Sequence, residues 1–201
     1  MRQNVSLAEI SDGHLYKAND MVKADCGGCE GCSQCCRGMG SSIILDPYDV
    51  YRLTTGIGKS MQELLATSVE LNVVDGVILP NLKMQGTGEA CAYLDAAGRC
   101  SIHPYRPGIC RLFPLGRHYE NGGLFYFLQT GECAKENRSK VKVSKWIDTP
   151  ELKRNEQFKL QWHELLSAMT DRVAGEDEGK QREENLLLLR LFYLLPYEGT
   201  T

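Results

Sequence analysis

The sequence predicts a small, irregular α+β domain of short helices and β-hairpins, followed by a C-terminal helical pair. Five of the nine cysteines fall within the eleven residues Cys26–Cys36, as in a ligand-rich loop. Turn-forming dipeptides separate short apolar runs, and the last fifty residues or so lack cysteine but show helical periodicity. We therefore expect a metal-stabilised domain over 26–148, preceded by an N-terminal arm (1–25) and followed by a helical segment (149–201).

Two short helices are predicted after the cysteine loop. Asp46-Pro47 is a good helix start, because aspartate caps the free N–H groups and proline suits the first helical position. That helix is expected to end near Thr54. Ser60 and Glu63 have the spacing of a capping box, which predicts a second helix to about Leu71.

Two hairpins are predicted from their turn residues. Asp75-Gly76 divides the apolar run Val73–Leu79, and an Asn-Gly-Gly turn divides Leu115–Tyr119 from Leu124–Gln129. The intervening proline at 107 predicts the start of a short helix that carries Cys110.

The C-terminal segment is predicted to form two helices. Thr149-Pro150 suits the start of a long amphipathic helix to about Val173, and a last helix spans about Gln181–Leu195. Because its second half is apolar nearly all round, we expect burial, with docking of a protein partner as the alternative.

Charge and hydropathy exclude several classes of protein. The net charge of −3 is small and negative, so it does not favour nucleic-acid binding. The longest apolar stretch, Leu186–Leu195, is too short to span a membrane. The N-terminus has no signal-peptide pattern, so we expect a soluble, cytoplasmic protein in which disulfides are disfavoured.

The cysteine spacing indicates metal ligation, since thiolates are the ligands of zinc and of iron–sulfur clusters. Eight thiols divide most simply into two four-coordinate sites, although one cluster with spare cysteines is an alternative. Adjacent Cys35 and Cys36 point in different directions and could serve two neighbouring centres. The dense repeat of two-residue gaps favours iron–sulfur slightly over zinc.

The motif Cys29-x2-Cys32-x2-Cys35-Cys36, together with the later Cys block, resembles the CxxCxxCC family of zinc- or iron-chelating proteins. The resemblance covers about residues 26 to 133 and leaves Cys26 outside the pattern. It implies that eight residues ligate metal: Cys29, Cys32, Cys35, Cys36, Cys91, Cys100, Cys110 and Cys133. Arg106 matches the family's Arg-Pro step, which favours a role at the centre over simple pairing with a carboxylate or carbonyl.

Three functions are compatible with these residues. The first is a protein with an iron–sulfur cluster in a redox or structural role, and the second is a zinc-chelating module. The third is a protein-modifying enzyme similar to the flagellin lysine N-methylases, which carry a related module. The sequence identifies neither a catalytic residue nor an electron partner. His103 follows Cys100 closely, but we expect a hydrogen-bonding or surface role for it, because eight cysteines already suffice.

Overall fold

The computed structural model of the chain describes residues 6–27, 32–135 and 137–195. The helices in these ranges are mostly short, apart from the last two: α1 (Leu7–Ile10), α2 (Pro47–Ile57), α3 (Met61–Thr67), α4 (Gly108–Leu112), α5 (Val143–Ile147), α6 (Leu152–Val173) and α7 (Glu178–Leu189). Two 3-10 turns, Gln34–Cys36 and His103–Tyr105, lie in the cysteine-rich part, and a π-helical turn, Arg190–Leu194, continues α7.

The strands are short as well: β1 (Met21–Asp25), β2 (Val69–Val74), β3 (Val77–Leu82), β4 (Met84–Gln85), β5 (Ala90–Cys91), β6 (Leu115–Glu120), β7 (Gly123–Leu128) and β8 (Ser139–Lys142). They form four antiparallel pairs, β1–β8, β2–β3, β4–β5 and β6–β7. Short helices combined with two-stranded ribbons confirm the predicted α+β class.

Both predicted helix starts are confirmed, and in the structure each of them is a capping box. Asp46 accepts from the Asp49 N–H at 2.9 Å, and Ser60 accepts from the Glu63 N–H at 3.3 Å. In each box the carboxylate three residues after the cap, Asp49 or Glu63, also accepts a hydrogen bond from the backbone N–H of the capping residue. The second helix ends at Thr67, earlier than predicted, because Val69 already pairs with Leu82 in the β2–β3 ribbon.

Both predicted hairpins are confirmed. The β2–β3 turn places Asp75 and Gly76 at φ 50° and 83°, and the β6–β7 turn places Asn121 and Gly122 at φ 50° and 70°. These left-handed conformations suit Gly, Asn and Asp, since the last two tolerate that region better than other side chains. The turn residues therefore set the register of both ribbons.

Two hydrophobic cores meet at α4, the helix that carries Cys110. The first core joins α2, α3, β2, β3, α6 and α7 around residues such as Leu53 and Leu64. The second joins β1, the β6–β7 ribbon and α5 around Tyr126. Within α4, Ile109 and Cys110 pack against the first core, while Leu112 belongs to the second. The helix that carries Cys110 is thus held by both cores.

The segment before the cysteine loop contributes a strand that was not predicted. In β1, Val22 and Ala24 are buried in the second core, and Val22 pairs with Val141 of β8. The division at residues 25 and 148 stays a prediction, although this pairing crosses the first boundary. The alternation of exposed and buried residues in β1 is the sequence signal for it.

The C-terminal helical pair covers the β2–β3 hairpin. The side chain of Asn185, buried in α7, accepts from the Ile78 N–H at 2.7 Å and donates to the Gly76 carbonyl at 3.1 Å. The long helix begins at Leu152 and not at the predicted Thr149 cap, because Glu151 takes the position before it in a left-handed conformation.

The last helix is half buried. Leu188 and Leu189 lie in the first core, as expected for burial, whereas other side chains are exposed: Leu186, Leu187, Leu191, Leu194 and Leu195. A protein partner at these leucines stays a prediction. Over the described ranges, none of the helices combines the length and the apolar composition that crossing a membrane requires.

Gly56, inside α2, allows the close approach of the Tyr105 ring from the segment that precedes Arg106. We expect Gly56→Ala to destabilise the protein by about 1–3 kcal/mol, since the new methyl group overlaps that ring. In an open helix the same change stabilises by about 1 kcal/mol. Thermal unfolding measures the difference, with exposed Thr55→Ala as the control that should be nearly neutral. A rise in stability for Gly56→Ala would show that Tyr105 does not pack there.

Candidate metal centre

The structure brings the first cysteine block against the second through backbone contacts. The Gly38 N–H donates to the Glu89 carbonyl at 2.9 Å, and Arg37 forms a bridge with Ala90. Ala90 belongs to β5, whose other residue is Cys91. These contacts place the 3-10 turn Gln34–Cys36 beside β5.

Five half-buried cysteines gather at this junction, and we call them the inner group: Cys35, Cys36, Cys91, Cys100 and Cys110. Cys35 and Cys36 lie in the 3-10 turn, and Cys91 lies in β5. Cys100 forms a bridge with Leu94, and Cys110 lies in α4. Burial is the main cause that raises the pKa of Cys110 and of Cys100, and charge on Cys91 and on Cys35, respectively, raises them further. Sulfurs from both sequence blocks therefore share one neighbourhood.

The two adjacent thiols have opposite shifts. A hydrogen bond from the Cys36 thiol lowers the pKa of Cys35 to about 7, and the same bond raises the pKa of Cys36. Burial raises the pKa of Cys91, Cys100 and Cys110. Bound metal reverses such shifts, because it deprotonates a coordinating thiol outright.

Arg106 lies beside this group, and its predicted role at the centre stays a prediction. Its charge lowers the pKa of Cys35 and of Cys100. One nitrogen, Nη1, donates to Nε2 of His103 at 3.1 Å, which gives that histidine the hydrogen-bonding role expected for it. The buried Nε has no hydrogen-bond partner among the described residues, so it can donate to a thiolate or sulfide at the centre.

The loop before Arg106 is held by two other arginines. Arg52 Nη2 and Arg111 Nη2 both donate to the Pro104 carbonyl, at 2.5 and 2.6 Å. Arg111 also donates to the Asp148 carbonyl at 2.9 Å. The loop that contains His103 and Arg106 is thereby fixed to α2 and α4.

We expect Arg106→Gln to weaken metal binding about 10–100-fold, the usual range for a residue that supports a metal ligand. The loss follows because the guanidinium favours the thiolate forms of Cys35 and Cys100. Competition with a chelator of known affinity measures the effect. Exposed Arg99→Gln removes the same charge next to Cys100 and should leave affinity unchanged. Equal losses in both variants would contradict a specific role for Arg106.

A buried ion cluster supports α4 from behind. Asp49 Oδ1 accepts from the Gly108 N–H at 2.8 Å, at the start of α4. Lys159 of α6 forms an ion pair with Asp46 and lies 3.7 Å from Asp49. Burial raises the pKa of Asp49 to about 6 and lowers the pKa of Lys159 to about 7. The cluster ties the long C-terminal helix to the helix that carries Cys110.

Two further predicted ligands lie elsewhere. Cys32 and Cys133 line a cavity of about 20 Å³ together with Cys35 and with Cys26, the residue outside the predicted pattern. Cys29 lies outside the described residues. Within the described ranges, the cysteines with free thiols include Cys32, Cys35, Cys36, Cys91, Cys100, Cys110 and Cys133.

The described ranges thus unite five of the eight predicted ligands and set two apart. Within them, no three His, Cys, Asp or Glu side chains are already arranged to coordinate a single ion. Sequence reasoning missed the supporting Asp49 and Lys159. Their signals were a second aspartate three residues after the helix cap, and a lysine at the helical spacing of Trp162 and Val173 on α6.

Comparison with known proteins matches the cysteine-rich part of the chain. The family model CxxCxxCC, described as a putative zinc- or iron-chelating domain, matches residues 28–147. No curated protein and no solved structure matches the chain. The match covers more than half of the chain and includes all of the predicted ligands. The chain therefore belongs to the CxxCxxCC family and is a cysteine-rich metal-binding protein.

Proposed function

We propose that four thiolates of the inner group hold an iron–sulfur cluster, with a redox or structural role. The observation that carries the proposal is the contact between the two sequence blocks, which gathers five half-buried thiols beside β5. Four cysteines are the usual ligand set of such a cluster, and separate iron atoms accept ligands from a wider area than one ion does.

The surroundings of the inner group suit a cluster. Thiolates and sulfide leave an excess of negative charge, which needs nearby cations and N–H donors. Arg106 supplies both through its charge and its unpartnered Nε. When bound, an iron–sulfur cluster supplies one-electron transfer, and the half-burial of its ligands limits contact with water.

Zinc bound to the inner group is the second candidate, because the family description names both metals and four thiolates satisfy the tetrahedral preference of zinc. The enzyme hypothesis, a protein-modifying methyl transferase, stays a prediction. Neither alternative changes which residues we expect to hold the metal at the inner group.

A reductive titration under nitrogen tests the proposal. Protein with a cluster at the inner group should lose its broad visible absorption on addition of one electron per cluster and regain it on reoxidation. Cys110→Ser should not show this behaviour. A colourless protein whose zinc is lost in Cys110→Ser would replace the first candidate by the second, and a protein with neither metal after reconstitution would contradict both.

A further inference from the structure

We propose a second metal site at the cavity that Cys26, Cys32 and Cys133 line beside Cys35, and we call these first three residues the outer group. The ion that binds there is a thiophilic divalent ion of the zinc type. Cys26, which lies before the matched residues 28–147 and outside the motif, is one of its ligands. This inference rests on the proposed function, in that the inner group keeps a centre of its own.

The cavity has the size and the donors of a single-ion site. Its volume of about 20 Å³ is enough for one ion or one water molecule. Thiolates are preferred zinc ligands, and structural zinc takes four of them or three with another donor. Glu132, on the same wall, is the alternative fourth donor to Cys35. Because the described residues hold no three donors already arranged around one ion, coordination requires the side chains of the outer group to change conformation.

The division of Cys35 and Cys36 allows two centres side by side. Cys35 lines the outer cavity, and its neighbour Cys36 lies among the inner group with Cys91 and Cys110. If Cys35 joins the outer site, four inner thiols remain, which is a full set for the cluster. Two adjacent cysteines can ligate the same single ion only with difficulty, but each of them can ligate a different centre.

Access to the two sites differs. Cys32 lines the small cavity and also a broad, open groove of about 690 Å³, whose wall includes Arg37 and Glu89. An ion can therefore reach the outer site from solvent past Cys32. Cys91, Cys100 and Cys110 instead pack against the first hydrophobic core. We infer that the outer ion exchanges readily, whereas the inner centre is retained.

The cavity wall contains its own reporter. Trp146 lines the cavity, and its Nε1 donates to the carbonyls of Leu112 and Phe113 at 3.3 and 3.2 Å. The chain has one other tryptophan, Trp162, which lies in the first core. In a Trp162→Phe background, indole fluorescence therefore reports on the outer site alone.

The test is a titration of reduced, cluster-containing protein with Co²⁺, in the Trp162→Phe background. We expect one equivalent to produce intense thiolate-to-cobalt absorption and to quench Trp146, since Co²⁺ accepts zinc-type sites. Cys26→Ser and Cys133→Ser should each weaken this binding at least tenfold while iron and sulfide content stay unchanged. Cys110→Ser should show the reverse, with the cluster lost and cobalt still bound.

Three results would overturn the inference. Co²⁺ binding that is unchanged in Cys26→Ser removes that residue from the site, and iron-loaded protein that binds no cobalt removes the site itself. Joint loss of iron and cobalt in Cys26→Ser indicates one shared centre. Failure of the proposed function has a different signature, because the wild-type protein then contains no iron–sulfur cluster, whether or not cobalt binds at the outer group.

Discussion

Cys110→Ser is expected to empty the inner centre and to lower the unfolding temperature by at least about 6 °C, the shift that about 3 kcal/mol produces at this chain length. Cys110 packs against the first core and Leu112 of the same helix lies in the second, so we expect loss of the metal bond to loosen α4 against both. Metal bonds contribute to folding directly, and small structural zinc domains gain about 10–16 kcal/mol from them. Differential scanning calorimetry measures the shift.

The metal-free protein provides the control for this variant. After removal of metal by a chelator, wild type and Cys110→Ser should unfold at nearly the same, lower temperature, because neither then has the bond. A difference in unfolding temperature that persists without metal would mean that serine only packs less well than cysteine around α4. Reversible loss of structure in the wild type on chelation is part of the same expectation.

Lys159→Met is expected to destabilise the protein by about 3–5 kcal/mol at neutral pH, the usual cost of removing one partner from a buried ion pair. Methionine fills a similar volume but leaves the Asp46 and Asp49 carboxylates buried without their cation. Because Asp49 also holds the Gly108 N–H, we expect weaker metal retention as well. Urea unfolding and metal content measure the two effects.

The pH dependence of this variant follows from burial. A buried carboxylate whose pKa is raised binds a proton more readily in the folded state, so folded stability gains as pH falls through that pKa. Loss of the Lys159 cation should raise the pKa of Asp49 further than burial alone does, so the deficit of Lys159→Met should shrink as pH falls from neutral toward about 6, the pKa of Asp49 in the wild type. Lys153→Met, at an exposed position on the same helix, should be nearly neutral at every pH. A deficit that is independent of pH would point to packing and not to charge.

Local signals in the sequence predicted most of the fold. The capping boxes at Asp46 and Ser60 and the turns at Asp75 and Asn121 depend on side chains next to the backbone they satisfy. The pairing of β1 with β8 depends on residues more than a hundred positions apart, such as Val22 with Val141. No local pattern specifies such a partner, so it appears only in the structure.

The candidate site likewise combines features that local sequence predicts with features that depend on distant residues. The motif predicted ligands in both blocks, and the structure gathers five of them, with Arg106 beside them. The place of Cys26 could not be predicted, because it depends on how β1 lies next to the segment that holds Cys133. Lys159 acts across 110 residues on Asp49, and a lysine in an amphipathic helix is usually solvated.

The first measurement is iron, zinc and acid-labile sulfide per chain, with an absorption spectrum, on protein purified without oxygen. We expect iron with matching sulfide and broad visible absorption in the wild type, and neither in Cys110→Ser. Protein that stays folded and free of iron, before and after anaerobic reconstitution, would contradict a cluster at the inner group.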